Sequence, residues 1–230
     1  MMFDTLFDEV QSHGKRFIVH TRDDEDGLSD RFANHRVTVE RRDLPPGRPD
    51  PFVAIEDNGE FVGALGLDAL EGLLEPPLVR PGDSEEISEG YRALFEVLDG
   101  TVFTALGRQD LLAVSREIED RAFRVGQGTL RVAFQRLSAF EAQVETYRRL
   151  AVDTELELHI YGIDDWDPPA IPGVTYHEIA GGLTRYWVLA FDGGAESCAL
   201  VARAENGRYA GFWTDDLELT GEVLAGLEGV

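Results

Sequence analysis

Four residues near the middle of the chain combine charge with large apolar side chains at helical spacing. Wound at about 100° per residue, the segment around SREIEDRAFRV places an Arg–Glu pair at i, i+3 between two apolar residues, the four being Leu112, Arg116, Glu119 and Phe123. An arginine in this setting lays its apolar stem on its neighbours and directs its guanidinium at a carboxylate. The stripe is therefore either the polar lip of a small-molecule pocket or a half-buried ion pair that joins this helix to the next one.

The remaining surface of the same helix, predicted over residues 108–125, divides into an apolar face and a charged face. The apolar face predicts contact with the core, and it carries Leu111, Val114, Ser115, Ile118, Ala122 and Val125. The charged face is expected to lie in solvent, and it carries Glu117, Asp120, Arg121 and Arg124. The mixed stripe lies beside the apolar face, so its charged residues border the core.

Motifs of the common catalytic classes are missing from the sequence. It contains no G-x-S-x-G, no P-loop, no H-E-x-x-H and no G-x-G-x-x-G. The acidic segment RDDEDG fails as a calcium loop, because aligning Gly27 with the loop glycine puts Arg22 and Ala33 where oxygen ligands are needed. These patterns therefore give no catalytic signature, and a small enzyme with an unrecognised site is kept as an alternative.

Cysteine and histidine offer few ligands for a metal. The single cysteine, Cys198, excludes an internal disulfide and lies in the apolar run CALVARA, which predicts a buried thiol. No pair among the five histidines has metal-ligand spacing, these being His13, His20, His35, His159 and His177. The sequence predicts no metal and no cofactor.

Strand and turn patterns flank the helical segment on both sides. A short amphipathic helix opens the chain with Phe3, Leu6, Phe7 and Val10 on one face. Strands are predicted first at RFIVHT, RVTVERR, PFVAIED and EFVGALG, and later at LELHIYG, GVTYHEI, RYWVLAFDGG, CALVARAE and RYAGFWT, before a helix over about 217–227. The similar order, with matches such as NGEFVGAL and NGRYAGFW, suggests two similar strand-rich halves, 15–74 and 155–230. The alternative is two ordinary hairpins with common turn residues.

The middle of the chain, 84–151, is expected to be largely helical, which gives one mixed α/β domain over 1–230. A helix is predicted over 84–98, a strand at TVFTAL, and a long helix over 129–151, although TLRVAFQ alone also fits a strand. The long helix carries a heptad-like seam of Leu130, Ala133, Leu137, Phe140, Val144, Tyr147 and Ala151. That seam either packs on the domain's own sheet or forms a homodimer or a signalling coil.

The charge balance excludes whole classes of partner. A formal net charge of −23 repels nucleic acid and anionic membrane surfaces. Lys15 is the only lysine among 21 basic residues, and this acidic, lysine-poor composition resembles the proteins of salt-loving archaea; an acidic protein that binds a basic partner is the rival interpretation. The acidic N-terminus does not fit a signal peptide, and no apolar run reaches the roughly 20 residues of a membrane span. We expect a cytoplasmic protein.

The segment FTALGRQDLLAVSREIEDRAFRVGQGTLRVAFQRLSAFEAQVETYRRLA resembles the central part of the DICT domain, a sensory domain of diguanylate cyclases and two-component systems. The C-terminal GFWTDD is similar to haloarchaeal stand-alone members. The resemblance implies a non-enzymatic signal-input module that binds a small ligand or a signalling protein partner and relays the change through its helical segment. The alternative is a dimerisation scaffold without a small ligand.

Overall fold

The computed structural model describes residues 2–12, 15–22, 38–47, 49–57, 59–67, 103–106, 108–205 and 208–229. Two stretches discussed from the sequence lie outside these residues: the predicted helix over 84–98 and the RDDEDG segment beyond Arg22.

A four-stranded sheet forms from the N-terminal part of the chain. Its strands are β1 (Lys15–Thr21), β2 (Thr38–Asp43), β3 (Phe52–Asp57) and β4 (Glu60–Gly66), in the spatial order β2-β1-β3-β4. β1 runs parallel to β2 and antiparallel to β3. β3 and β4 pair as the predicted hairpin, in whose turn Gly59 has a φ of 85°.

A seven-stranded sheet forms the centre of the rest of the protein. Its strands are β5 (Phe103–Leu106), β6 (Gln127–Arg136), β7 (Glu155–Ile163), β8 (Val174–Glu178), β9 (Tyr186–Asp192), β10 (Cys198–Glu205) and β11 (Arg208–Thr214). They lie in the order β5-β11-β10-β9-β6-β7-β8, parallel from β6 to β8 and antiparallel elsewhere. The mixed α/β class predicted from the sequence is confirmed.

Within the described residues, four α-helices accompany the two sheets: α1 (Met2–Ser12), α2 (Arg108–Val125), α3 (Val144–Asp153) and α4 (Leu217–Glu228). The sequence predicts α1 and α2 from their apolar periodicity, α2 with these bounds, and it predicts α4 over about 217–227. Asp216 caps α4 by accepting a hydrogen bond from the Leu219 amide at 2.8 Å. No helix in the described ranges is long and apolar enough to span a bilayer.

Both faces of the seven-stranded sheet are buried, as the alternating side chains of β10 show. Cys198, Leu200 and Ala202 join the core that contains the apolar face of α2 and the inner residues of the small sheet. Ala199 and Val201 join a second core with α1 and α4. Cys198 is buried, as predicted. A strand covered on both sides needs apolar residues at every position, which explains the unbroken run CALVA.

The predicted helix over 129–151 is wrong in its first part. Residues 127–136 form β6, the following residues form a 3₁₀ helix (Leu137–Gln143), and only α3 is α-helical. β6 pairs with two strands and is covered on both faces, so its apolar residues follow no strict alternation and imitate a heptad. The seam therefore lies on three elements, its residues at 130, 137, 140 and 147 are buried in the chain's own core, and the dimer coil loses its basis.

The two strand-rich halves share some pairings and differ in one. β1 and β2 are parallel, as are β7 and β8, and β3–β4 and β10–β11 are both antiparallel neighbours. β1 pairs directly with β3, whereas β6 lies between β7 and β9. An internal duplication stays a prediction.

Candidate ligand-binding site

The mixed stripe of α2 carries its ion pair to the edge of the core. Arg116 donates to Glu119 within the predicted i, i+3 pair. The side chain of Glu119 is 3% exposed and that of Arg116 is 20% exposed, so the carboxylate lies inside and the guanidinium reaches toward solvent. The pair thus has a buried anion and a cation at the boundary.

Two further polar groups reach this pair from the segment that follows β6. The Tyr147 hydroxyl, on α3, donates to Glu119 Oε1 at 2.8 Å. The other terminal nitrogen of Arg116 donates to the side-chain oxygen of Gln143, at the end of the 3₁₀ helix. These bonds join α2 to residues 137–153, and they use both carboxylate oxygens of Glu119.

A small cavity lies beside the ion pair, between α2, α3 and the sheet. Its volume is about 10 Å³, which is the space of about one water molecule. It is lined by Leu112, Ser115, Arg116, Glu119, Val132, Phe134, Gln143, Tyr147, Trp187 and Leu189. Half of these residues are polar or charged and lie on α2 and on the 137–153 segment, whereas the sheet supplies the apolar and aromatic wall.

Trp187 on β9 contributes an unsatisfied donor to this wall. Its side chain is buried, and its indole N–H has no acceptor in the described part of the chain. A buried donor left without a partner costs about 1–3 kcal/mol. An acceptor brought into the cavity by a bound molecule is one way to recover that cost.

The structure brings together three of the four predicted site residues. Leu112, Arg116 and Glu119 line the cavity, but its described lining does not include Phe123. Phe123 packs against the core farther along α2, and the guanidinium of Arg149 lies 5.5 Å from the centre of its ring. Phe123 therefore joins α2 to α3 at a second place.

Burial dominates the electrostatics of the site. It raises the pKa of Glu119, while the charge of Arg116 and the bonds from Tyr147 and Arg116 oppose that rise. Burial, with the nearby charge of Glu119, raises the pKa of Tyr147 well above its ordinary value, so Tyr147 stays a hydrogen-bond donor. Arg116 and Tyr147 therefore offset part of the free energy that it costs to ionise the Glu119 carboxylate inside the protein.

The expected solvent face of α2 is wrong for two of its four residues. Glu117 and Arg121 are buried, and Arg121 pairs with Asp215 at 2.8 Å, just after β11. Burial raises the pKa of Glu117 to about 7, although Arg124 lies 3.5 Å away. Charges that are paired within the fold do not need solvent. A helical wheel could not reveal the partner of Arg121, because Asp215 lies far along the chain, whereas the partner of Glu117 is Arg124 on the same helix.

The sequence also missed a histidine pair on the opposite side of the sheet. Nδ1 of His159 on β7 lies 2.9 Å from Nε2 of His177 on β8, and the ring of His177 stacks on that of Tyr161 at 4.4 Å. Burial and the charge of Arg131 lower the pKa of both histidines. The pairing of two parallel strands creates this contact, so spacing along the chain gives no sign of it.

The histidine pair is not part of a larger metal-binding group. Among the residues that the structure describes, no cluster of three or more histidine, cysteine, aspartate or glutamate side chains has the arrangement to hold a metal ion. Arg131 instead donates to the Tyr161 hydroxyl at 2.7 Å and to Glu228 at 2.9 Å, beside the pair.

The region that contains the cavity matches a known family of protein domains. Residues 93–205 match the model of the family described as a sensory domain in diguanylate cyclases and two-component system proteins, DICT. All the residues that line the cavity lie within this span. No curated protein matches the chain.

A distant likeness to one solved structure adds no argument. The chain is 12% identical to a polyphosphate kinase from Porphyromonas gingivalis, with a TM-score of 0.39. The likeness covers 97% of this chain and 47% of that one.

Proposed function

From the membership of residues 93–205 in the DICT family of sensory domains, we propose that this protein is a non-catalytic sensor that binds a small molecule beside Arg116 and Glu119. One observation carries the proposal: the matched span contains a cavity that combines a buried carboxylate, a boundary arginine and the unsatisfied donor of Trp187. Polar groups that converge on an apolar, aromatic wall are typical of small-molecule sites.

The relay runs through the bonds that cross the cavity. Arg116 bonds to Gln143, and Glu119 bonds to Tyr147, so a ligand that disturbs the ion pair also loosens the 137–153 segment from α2. α3 moves relative to the sheet in response, and a signalling protein partner reads that change. A ligand shifts such an equilibrium only as far as it binds one arrangement better than the other.

The cytoplasm of a salt-adapted archaeon is the proposed setting. A net charge of −23 with one lysine among 21 basic residues supports it, because molar salt screens the mutual repulsion of the carboxylates. Nucleic acid and membrane surfaces are not proposed as partners, since the same charge repels both.

Native mass spectrometry of the protein purified in high salt tests the proposal. We expect a retained small molecule, or else compounds from a metabolite library that raise the melting temperature of the protein. No retained mass and no stabilising compound in the library would overturn the ligand-sensing function.

A further inference from the structure

The cavity as it stands is too small for most metabolites. Its volume of about 10 Å³ admits about one water molecule. A larger ligand enters only if a lining side chain leaves. Among the two charged ones, Glu119 is enclosed, whereas Arg116 is 20% exposed and has a path to solvent. Arg116 is therefore the side chain that is placed to leave.

The departure of Arg116 creates a charge problem that selects the ligand. Glu119 is buried, and removing the partner of a buried ion strongly destabilises the fold, because the remaining charge is left inside without a counter-charge. A neutral ligand leaves the carboxylate without a counter-charge, so that it must take up a proton from solvent, and an anion adds a second negative charge. A cation restores the balance, and the net charge of −23 also attracts cations to the protein.

The wall of the cavity favours a flat cation. Phe134 lies between the two other aromatic residues, with its ring centre 6.5 Å from that of Tyr147 and 6.3 Å from that of Trp187. Aromatic rings attract cations, and planar guanidinium groups stack on them. The unsatisfied indole N–H of Trp187 adds a requirement for a hydrogen-bond acceptor on the same ligand.

We propose that Arg116 is an internal occupant of the site and that the ligand is a small planar cation of the guanidinium or amidinium class, carrying a hydrogen-bond acceptor, which takes the place of Arg116 on Glu119. The inference rests on the proposed function, because it names the ligand class of that cavity. When the ligand replaces Arg116, the buried charges stay balanced and the Arg116 side chain moves into solvent. Gln143 then loses its hydrogen bond to Arg116. The empty state is thereby held closed by the protein's own guanidinium.

Replacing Arg116 by alanine frees the site for a probe. In constant high salt, methylguanidinium should raise the melting temperature of Arg116→Ala saturably, and the rise should disappear in the double variant Arg116→Ala/Glu119→Gln. Arg148→Ala is the matched control, because Arg148 is an exposed arginine paired with Glu145 three residues away. In this control and in the wild type, Arg116 competes with the probe. Both should therefore bind methylguanidinium about tenfold or more weakly than Arg116→Ala does.

Methylurea separates charge from shape, because it has nearly the shape of methylguanidinium without its charge. The cation class is overturned if methylurea stabilises Arg116→Ala as well as methylguanidinium does, or if neither stabilises it. If Arg116→Ala does not fold, the wild type is titrated instead. (2-Hydroxyethyl)guanidinium, whose hydroxyl supplies the acceptor that the indole N–H lacks, should then shift the Trp187 indole N–H resonance, assigned with Trp187→Phe, whereas an unchanged resonance at saturating probe would overturn the inference.

The failure of this inference differs from the failure of the proposed function. A neutral or anionic molecule retained in native mass spectrometry, with binding that Glu119→Gln alters, leaves the sensor in place and removes the cation. The absence of any ligand removes both.

Discussion

Glu117 and Glu119 are two buried carboxylates, two residues apart on one helix, that differ in their hydrogen-bond partners. Glu119 has an arginine and a tyrosine hydroxyl as hydrogen-bond partners, whereas Oε1 of Glu117 makes no hydrogen bond within the described residues. Arg124, at 3.5 Å, is its ion-pair partner. Ionisation of Glu117 should therefore lower the free energy of unfolding more than ionisation of Glu119 does.

The stability of the protein should fall as Glu117 ionises. Burial raises its pKa from 4.5 to about 7, so the folded state holds the proton more tightly than the unfolded state. Its contribution is fully present below pH 4.5 and is lost as the pH rises through about 7. Glu117→Gln should raise the free energy of unfolding by about 1–3 kcal/mol at pH 8 and change it little at pH 4.5.

Chemical denaturation at both pH values measures this difference. Glu145→Gln is the control, because the side chain of Glu145 is 77% exposed. An equal effect of Glu117→Gln at the two pH values would show that folding does not raise the pKa of Glu117.

At the scale of elements, β6 depends on a glycine at its start. Gly128 has a φ of 112°, and a Cβ atom there would lie 2.1 Å from the backbone oxygen of Asp192 at the end of β9. β6 is the only strand in the described sheet that pairs with both β7 and β9, so this contact matters for the whole sheet.

Gly128→Ala should destabilise the protein by more than 2 kcal/mol, in the range of about 2–4 kcal/mol expected for backbone strain combined with a steric clash. Gly221→Ala is the matched control, because Gly221 lies in α4 with open space around its Cα. That change should stabilise the fold by up to about 1 kcal/mol. Equal melting temperatures for the two variants would contradict the close approach of β6 to β9.

The histidine pair on β7 and β8 should make the stability of the protein sensitive to acid. The pKa values of His159 and His177 lie below the ordinary 6.5, so the unfolded chain binds these protons more readily. Their contribution is present above pH 6.5 and is lost as the pH falls below it. His177→Gln should make the loss of stability between pH 6.5 and about 5 shallower. Denaturation curves across this range test it, and parallel pH profiles for variant and wild type would refute it.

Elements whose pattern reflects one buried face could be predicted from the sequence. α2 was predicted with its bounds, and the β3–β4 hairpin followed from alternation and its turn. β6 could not be distinguished from a helix, because a strand buried on both faces loses the alternation that identifies it.

The candidate site could be predicted only in part, because contacts between different elements complete it. The wheel of α2 gave Leu112, Arg116 and Glu119, but Tyr147 and Trp187 reach the cavity from parts of the chain whose position only the fold determines. A wheel treats each helix alone, so it also placed Glu117 in solvent, although the structure buries it.

At the scale of the whole molecule, one strand connects the two polar clusters. Val132 and Phe134 of β6 line the cavity, whereas Arg131 lies on the other face beside the histidine pair. The proposed sensor therefore has its ligand site on one side of the seven-stranded sheet and a proton-sensitive pair on the other. A shift of β6 is a direct route by which either could affect the other.

The proposed sensing function depends on the binding of a small molecule in the cavity beside Arg116 and Glu119. The most direct measurement compares thermal shifts of the wild type, Glu119→Gln and Glu145→Gln with the compounds that stabilise the wild type. Glu145→Gln should keep these shifts, because Glu145 is exposed and does not line the cavity, and Glu119→Gln should lose them. A folded Glu119→Gln protein that responds to the same compounds as strongly as the wild type would contradict it.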